Sequence, residues 1–380
     1  MVATFVRVIR GMPAVVWAAG LLLLVEVAAY LVLPALVPES RYLDRYVPAS
    51  GHLSVEAFLA GEHLLTPDTA TGWRSTPDQV RGNWVTDSLG ARATHRHQWW
   101  DPSLVRILAL GSSMMNGGGG VTNDGTITAH LESAEVTTLN FGTMLYGADQ
   151  ALMLYRSRLR ALRPHVVVLG LDGDPLGALV NLYVPLRNRD ETNMPFVKPR
   201  YVLRRGSLEK IPVDPPFLLG TSGGDSLLAV VREYDEYYPR LVRFARLEQT
   251  PMLGTASWLI PRIAQRLPSA LPDHRAGLLD AVLKEVGRVV RADGAELLIL
   301  AMPPGVGGLP GLGDTYATRL DRWRGLGFRV VDGRDVLERS GEPEAILYSE
   351  DGVHLTSLGN AVLAGAVRWE LEAILDRPLS

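Results

Sequence analysis

Cysteine is absent from the 380 residues, which removes disulfides, a cysteine nucleophile and thiolate metal sites from consideration. Charge of either sign is not in excess. The 38 Lys and Arg against 41 Asp and Glu leave a net charge of -3, so there is no basic footprint for nucleic acid. The eight histidines show no His-x-x-x-His or similar ligand spacing, and His95-Arg96-His97 reads as a short polar loop. No metal and no cofactor is therefore expected. The glycine-rich stretch from Gly305 to Gly313 lacks the Lys-Ser/Thr of a phosphate loop and its strand-to-helix setting, which leaves a surface loop. Internal repeats and long low-complexity tracts are also missing.

What is present begins with a long apolar run. Ala14 to Val37 contains one charged residue, Glu26. As a helix the run is about 36 Å long at 1.5 Å per residue, more than the roughly 30 Å of a bilayer's hydrocarbon core. A cleavable signal peptide would have a shorter apolar region and a small-x-small cleavage site, and Leu36-Val37-Pro38 is a poor one. The expectation is an uncleaved anchor. Arg7 and Arg10 ahead of the run place the N-terminus inside, although Arg41 and Arg45 behind it narrow the asymmetry. Glu26 near mid-span costs about 2.5–3.5 kcal/mol on insertion scales. It either pairs with a polar group of a partner membrane protein or is tolerated as a neutral acid. The expected organisation is a short cytoplasmic tail (1–13), a transmembrane anchor (14–37), an extracytoplasmic lead-in (38–104) and an α/β domain (105–380).

The lead-in reads as turns and short strand-like pieces with Trp73, Trp84, Trp99 and Trp100, packing on the main domain. From residue 105 strands and helices alternate in the manner of a parallel sheet. Strands are predicted at Val105–Leu110, Val136–Asn140, Val166–Leu171, Glu296–Ala301 and Phe328–Asp332. Helices are predicted at Thr126–Ser133, Asp149–Leu162, Arg275–Arg291, Thr315–Gly325 and Thr356–Ile374. Arg156, Arg158, Arg160 and Arg163 read as the solvated face of a helix. Between residues 175 and 274 the pattern loosens, apart from an amphipathic helix over Ser226–Leu247. This stretch reads as an insertion that forms a cap or partner surface. Tyr234, Tyr237 and Tyr238 within it are expected to pack, with glycan contact as the other reading.

The chemistry sits at two places. The apolar strand Val105–Leu110 breaks into Gly111-Ser112-Ser113, which presents Ser113 at the carboxyl edge of the sheet, where open α/β sheets bind ligands. Far downstream stands Asp351-Gly352-Val353-His354. Ser, His and Asp are the three groups of a nucleophilic triad: His354 takes the hydroxyl proton of Ser113, and Asp351 fixes the imidazole's tautomer.

With these residues the chain resembles the SGNH/GDSL hydrolase family, from about Val105 to the C-terminus. The family's first block, Gly-Asp-Ser-x-x-x-Gly, is matched by Gly111-Ser112-Ser113-Met114-Met115-Asn116-Gly117. The second is similar to Leu139 through Gln150, the third falls around Asp172-Gly173-Asp174, and the last is Asp351-Gly352-Val353-His354 with Gly359-Asn360 behind it. Thr71-Gly72-Trp73-Arg74 and Thr86 through Arg92 look like the lead-in of bacterial membrane-anchored members. The resemblance implies a flavodoxin-like three-layer fold with a central parallel sheet, with Ser113 as nucleophile, His354 as base and Asp351 as its partner. It implies an oxyanion hole of backbone N–H groups drawn from Ser113, Gly142, Leu145 and Gly147.

Departures from the family pattern bear on activity. Ser112 stands in place of the first-block Asp, and the third-block Asn, a side-chain oxyanion donor, is replaced by Gly173 or Asp174. Loss of one such donor costs about 100–1,000-fold in rate. The expectation is a membrane-anchored serine esterase or O-acyl-transferring enzyme acting on acyl esters of envelope glycan or lipid. The resemblance further implies a membrane-bound O-acyltransferase as partner. The alternative is a non-catalytic binding or assembly protein on the same fold.

Overall fold

The computed structural model describes residues 14–36, 64–92, 101, 103–172, 175–187, 197–213, 224–238, 274–306 and 316–379. The first element is a helix, Ala14–Leu36, on the apolar run. Among the described residues no helix is long and apolar enough to cross a membrane; part of this helix's side chains lies outside them. Residues 1–13, with Arg7 and Arg10, and residues 37–63, with Arg41 and Arg45, also lie outside, as do Trp99, Trp100 and the His95-Arg96-His97 loop.

Two short antiparallel hairpins follow, β1 (Leu65–Asp68) with β2 (Gly72–Ser75) and β3 (Val80–Arg81) with β4 (Trp84–Val85). The central sheet is five-stranded and parallel: β5 (Val105–Gly111), β6 (Val136–Gly142), β7 (Val166–Leu171), β10 (Glu296–Ala301) and β11 (Arg329–Asp332). Its spatial order is β6-β5-β7-β10-β11. Renumbered within the sheet this is 2-1-3-4-5, the flavodoxin-like winding, whose direction reverses between β5 and β7. The crevice outside the carboxyl ends of those two strands is where such sheets bind ligands. Ser113 follows the end of β5, so the topology alone brings its hydroxyl there.

Alternation along the strands divides the core into two layers. Leu108, Leu110, Val167, Leu169, Leu297 and Ile299 face the helices Ala148–Leu154 and His274–Ala292. Ile107, Ala109, Val166, Val168, Leu298 and Leu300 face the helices Ile127–Leu131 and Ser357–Leu375. Both faces being covered explains why β6 and β7 are buried throughout.

The helix predicted over Asp149–Leu162 is α-helical only to Leu154. It widens into a π turn at Tyr155–Leu159 and tightens at Arg160–Leu162, ending on Arg163 with φ 48°. Its arginines are not a merely solvated face. Arg156 pairs with Glu285, Arg158 with Asp68 at 2.5 Å, and Arg160 with Asp293 at 2.6 Å, tying this helix to its neighbours.

The 175–274 stretch contains structure the sequence pattern does not announce. β8 (Arg200–Arg204) and β9 (Ser207–Ile211) form a hairpin. Its two-residue turn, Arg205-Gly206, has φ of 50° and 81°, the left-handed pair that suits a tight hairpin. The helix predicted over Ser226–Leu247 is found at Gly224–Tyr234; residues 239–247 lie outside the described ones. Val180, Tyr183, Val197, Tyr201, Val231 and Tyr238 share the main core, so the stretch is built into the domain, and Tyr234 and Tyr237 pack against that core too.

Lys198 of this stretch is buried and ion-paired with buried Asp149 at the start of the helix Ala148–Leu154. Burial pulls the Lys198 ammonium down and the Asp149 carboxylate pulls it back up. Removing one partner strands the other charge, which typically costs about 3–5 kcal/mol. Lys198→Met is therefore expected to lower the urea midpoint sharply, and Lys198→Met/Asp149→Asn to recover much of the loss.

Candidate active site

Gly111 ends β5 with φ 147°, and a Cβ there would lie 2.7 Å from the Gly170 carbonyl oxygen, so only glycine makes this exit from the sheet. Ser112 then caps the short helix Ser113–Asn116: its hydroxyl accepts from Met114 N at 3.1 Å and donates to Asp172 Oδ1 at 2.5 Å. The carboxylate absent from position 112 thus reaches the same place from the end of β7. Gly173 and Asp174 lie outside the described residues.

Ser113 Oγ is 2.9 Å from His354 Nε2, and His354 Nδ1 is 2.6 Å from Asp351 Oδ2. The other carboxylate oxygen accepts from the N–H groups of Val353 and His354 at 2.8 and 2.9 Å, and lies 2.8 Å from the Ser349 hydroxyl. Burial tends to raise the Asp351 carboxyl, but the bonds from His354, Val353 and Ser349 outweigh it and hold the group well below the usual carboxylate range. An ionised Asp351 must face an N–H at Nδ1, which leaves Nε2 as acceptor for the Ser113 hydroxyl proton. The His354 side chain is 20% exposed and that of Asp351 51%, so the relay opens to solvent from the Asp351 side. Thr356 caps the helix Ser357–Leu375 directly behind this loop and fixes where it ends.

The expected oxyanion donors divide. The N–H of Gly142 donates to Asn140 Oδ1 at 2.9 Å, and that of Gly147 to Gln150 Oε1 at 3.2 Å. These two are corrections to the expected set, because both are spent on internal bonds. The N–H groups of Ser113 and Leu145 carry no such bond among the described residues. Leu145 has φ 64°, a conformation that costs a non-glycine residue roughly 1–2 kcal/mol.

The lead-in holds the loop that carries Leu145. Trp73 Nε1 donates to Met144 O at 2.9 Å, and the Tyr146 hydroxyl donates to the Trp73 carbonyl. The two rings meet edge to face at 5.9 Å. Trp73→Phe keeps the ring contact and deletes one bond to the loop, so kcat is expected to fall about tenfold with KM nearly unchanged, as steady-state kinetics would show.

Gly118 belongs to the site as well, unannounced by any family block. Its φ is 62°, and a Cβ on it would fall 2.6 Å from Cγ and Cδ2 of His354, so the imidazole packs directly against its backbone. Four successive glycines at 117–120 were the available signal. Elsewhere, a cleft of about 390 Å³ is lined by Arg74, Ser75, Ser88, Thr143, Ser157 and Arg158 among others. Ser113, Asp351 and His354 do not line it.

No family model matches the chain, and no curated protein matches it. Solved structures do. The esterase EstA from Pseudoalteromonas sp., in a structure inhibited by monoethylphosphonate, is 9% identical, with 72% of this chain and 100% of that one covered and a TM-score of 0.37. Axe2, an acetylxylan esterase from Geobacillus stearothermophilus, is 12% identical over 70% of this chain and 93% of that one, with a TM-score of 0.36. A lipolytic protein of the G-D-S-L family from Desulfitobacterium hafniense is 11% identical over 69% and 96%, with a TM-score of 0.31. The chain therefore has structural matches among SGNH/GDSL esterases over about 70% of its length, at values so low that the case for its chemistry rests on the site's own distances.

Proposed function

We propose that the protein is a serine esterase or O-acyl-transferring enzyme that acts on acyl esters of cell-envelope glycan or lipid. The observation that carries this reading is the continuous relay from Ser113 Oγ through His354 to Asp351, at 2.9 and 2.6 Å. Ser113 Oγ attacks the ester carbonyl while its proton passes to His354 Nε2. The charge that develops on the carbonyl oxygen meets the N–H groups of Ser113 and Leu145. Collapse expels the alcohol, which takes the proton from Nε2, and leaves the acyl group on Ser113. Water or a sugar hydroxyl then gives its proton to Nε2 and attacks, which releases the acid or a new ester. Asp351 stays ionised throughout and stabilises the imidazolium.

The envelope assignment rests on the N-terminal helix. Leu21, Leu22, Leu23, Leu24, Val25 and Val27 are all exposed, and at 100° per residue they cover every side of it. Apart from the buried Glu26, the helix shows apolar side chains on every other side and no wide polar face, which suits a bilayer. That supports a single-pass anchor; with Arg7 and Arg10 ahead of it the domain would lie outside the cytoplasm, within reach of surface esters and of a membrane-bound O-acyltransferase. The full chain is expected to float with liposomes in a density gradient and the chain lacking residues 1–38 to stay at the bottom; co-flotation of both would sink the anchor.

The occupied N–H groups of Gly142 and Gly147 favour one other reading, a non-catalytic assembly protein on the same fold. A fluorophosphonate probe decides between them, since it labels only an activated serine. Labelling that disappears in Ser113→Ala supports the enzyme. Turnover of p-nitrophenyl acetate no faster than that of Ser113→Ala, with no labelling, supports the assembly protein. Release of acetate in water, against its appearance on an added sugar acceptor, separates hydrolysis from transfer.

A further inference from the structure

The loop that follows the nucleophile contains Gly117-Gly118-Gly119-Gly120 and has no side chains along that stretch with which to hold itself. Yet Gly118 is the surface on which His354 rests, and its N–H donates to the Ser113 carbonyl at 3.0 Å. Something outside the loop must fix it.

Arg92 is 2% exposed, and among the described residues no carboxylate pairs with it. Its donors go instead to neutral oxygens, all but one of them in the loop 116–123. Nη1 donates to Asn116 O and Oδ1, both at 3.1 Å, and to Gly118 O at 2.7 Å. Nη2 donates to Val121 O and, at 3.3 Å, to Asn83 O. Nε donates to Asn123 Oδ1 at 2.9 Å. The guanidinium lies over the Trp84 ring at 4.9 Å, and the backbone N–H of Arg92 bonds to Asn140 O in β6 at 2.8 Å. Arg92 is thus anchored to the edge of the sheet and reaches across to the loop. Burial brings its pKa down to about 10, which leaves it charged at neutral pH.

A buried cation with no counter-ion among the described residues is expensive, and an apolar side chain of the same size would fill the space at lower cost. What only a guanidinium does is bind several oxygens at once in a fixed plane. We propose that Arg92 is a positioning residue of the active site. It clamps residues 116–123 so that Gly118 seats the His354 imidazole against Ser113. The proposal rests on Ser113 and His354 acting as described above.

The test uses the full chain in detergent, as wild type, Arg92→Met, Arg92→Lys, Gly118→Ala and Arg92→Met/Gly118→Ala. Two readouts are taken, p-nitrophenyl acetate kinetics and the low-field Nδ1 proton of His354 by NMR, assigned with His354→Gln. Arg92→Met is expected to lower kcat about 100-fold, the scale of a 1 Å misplacement, with KM changed less than about twofold, and to shift or broaden the Nδ1 proton. Arg92→Lys should not recover the rate, because an ammonium lacks the planar fork. The double variant should be no slower than the worse single one, because both changes act through the same contact. Wild-type kcat and an unchanged Nδ1 proton in Arg92→Met would overturn the proposal, as would losses that multiply in the double variant. If Arg92→Met does not fold, Arg92→Lys and Gly118→Ala supply the same comparison. A wild type without turnover defeats the esterase reading, while the Nδ1 proton still reports whether Arg92 seats His354.

Discussion

Ser113→Ala is expected to reduce ester turnover by a factor on the order of 10⁴ or more, with little change in stability. Among the described residues the hydroxyl is the only group bonded to His354 Nε2, so no described neighbour substitutes for it. Ser112 is the nearest candidate, but its hydroxyl donates to Asp172 and caps the helix Ser113–Asn116. Ser112→Ala is therefore a control with a different signature. It removes a cap, which costs about 1 kcal/mol, and leaves covalent chemistry at Ser113 possible. Measured together, the two variants show whether rate loss tracks the nucleophile or the cap.

Asp351→Asn carries the second large effect, about 10⁴-fold in kcat. The amide keeps the shape of the carboxylate but presents no negative charge to Nδ1, so it neither enforces the Nδ1–H tautomer nor stabilises the imidazolium. The loop itself should survive, because the N–H groups of Val353 and His354 can still bond to the amide oxygen. The pH dependence follows from the same bonds. A carboxyl held below its ordinary value, about 3.9 for Asp, adds stability above that value and loses it only as pH falls through the lowered one. Asp351 thus remains ionised throughout the mildly acidic range. Circular dichroism between pH 7 and 5 should therefore show the loop's domain intact.

The parts legible in the sequence were those set by local pattern. All five sheet strands announce themselves by apolar β-rich runs between turns, and Val166–Leu171 and Glu296–Ala301 fall where the pattern puts them. Asp-x-x-His marked one half of the relay and Gly-Ser-Ser the other. The hairpin of β8 and β9 escaped because its strands mix charge and apolar residues without clean alternation; Arg205-Gly206 was its only signal. Gly147 was open to a better reading, since Gly-x-x-Gln before an apolar run has the spacing of a capping box, which spends that N–H. Gly142 was not, because its partner, the Asn140 side chain, is defined only once β6 is formed and buried. The part played by Arg92 depends on residue 92 meeting residues 116–123, and only the folded chain brings them together.

The proposed mechanism requires that Ser113 become acylated. The direct measurement is to mix the full chain with p-nitrophenyl acetate, quench in acid within the first turnover, and map the modified peptides by mass spectrometry. The account predicts a single acetyl group on the peptide bearing Ser113, absent from Ser113→Ala and accumulating more slowly in Asp351→Asn. An unmodified Ser113 in wild type, with p-nitrophenol released no faster than by Ser113→Ala, would contradict it.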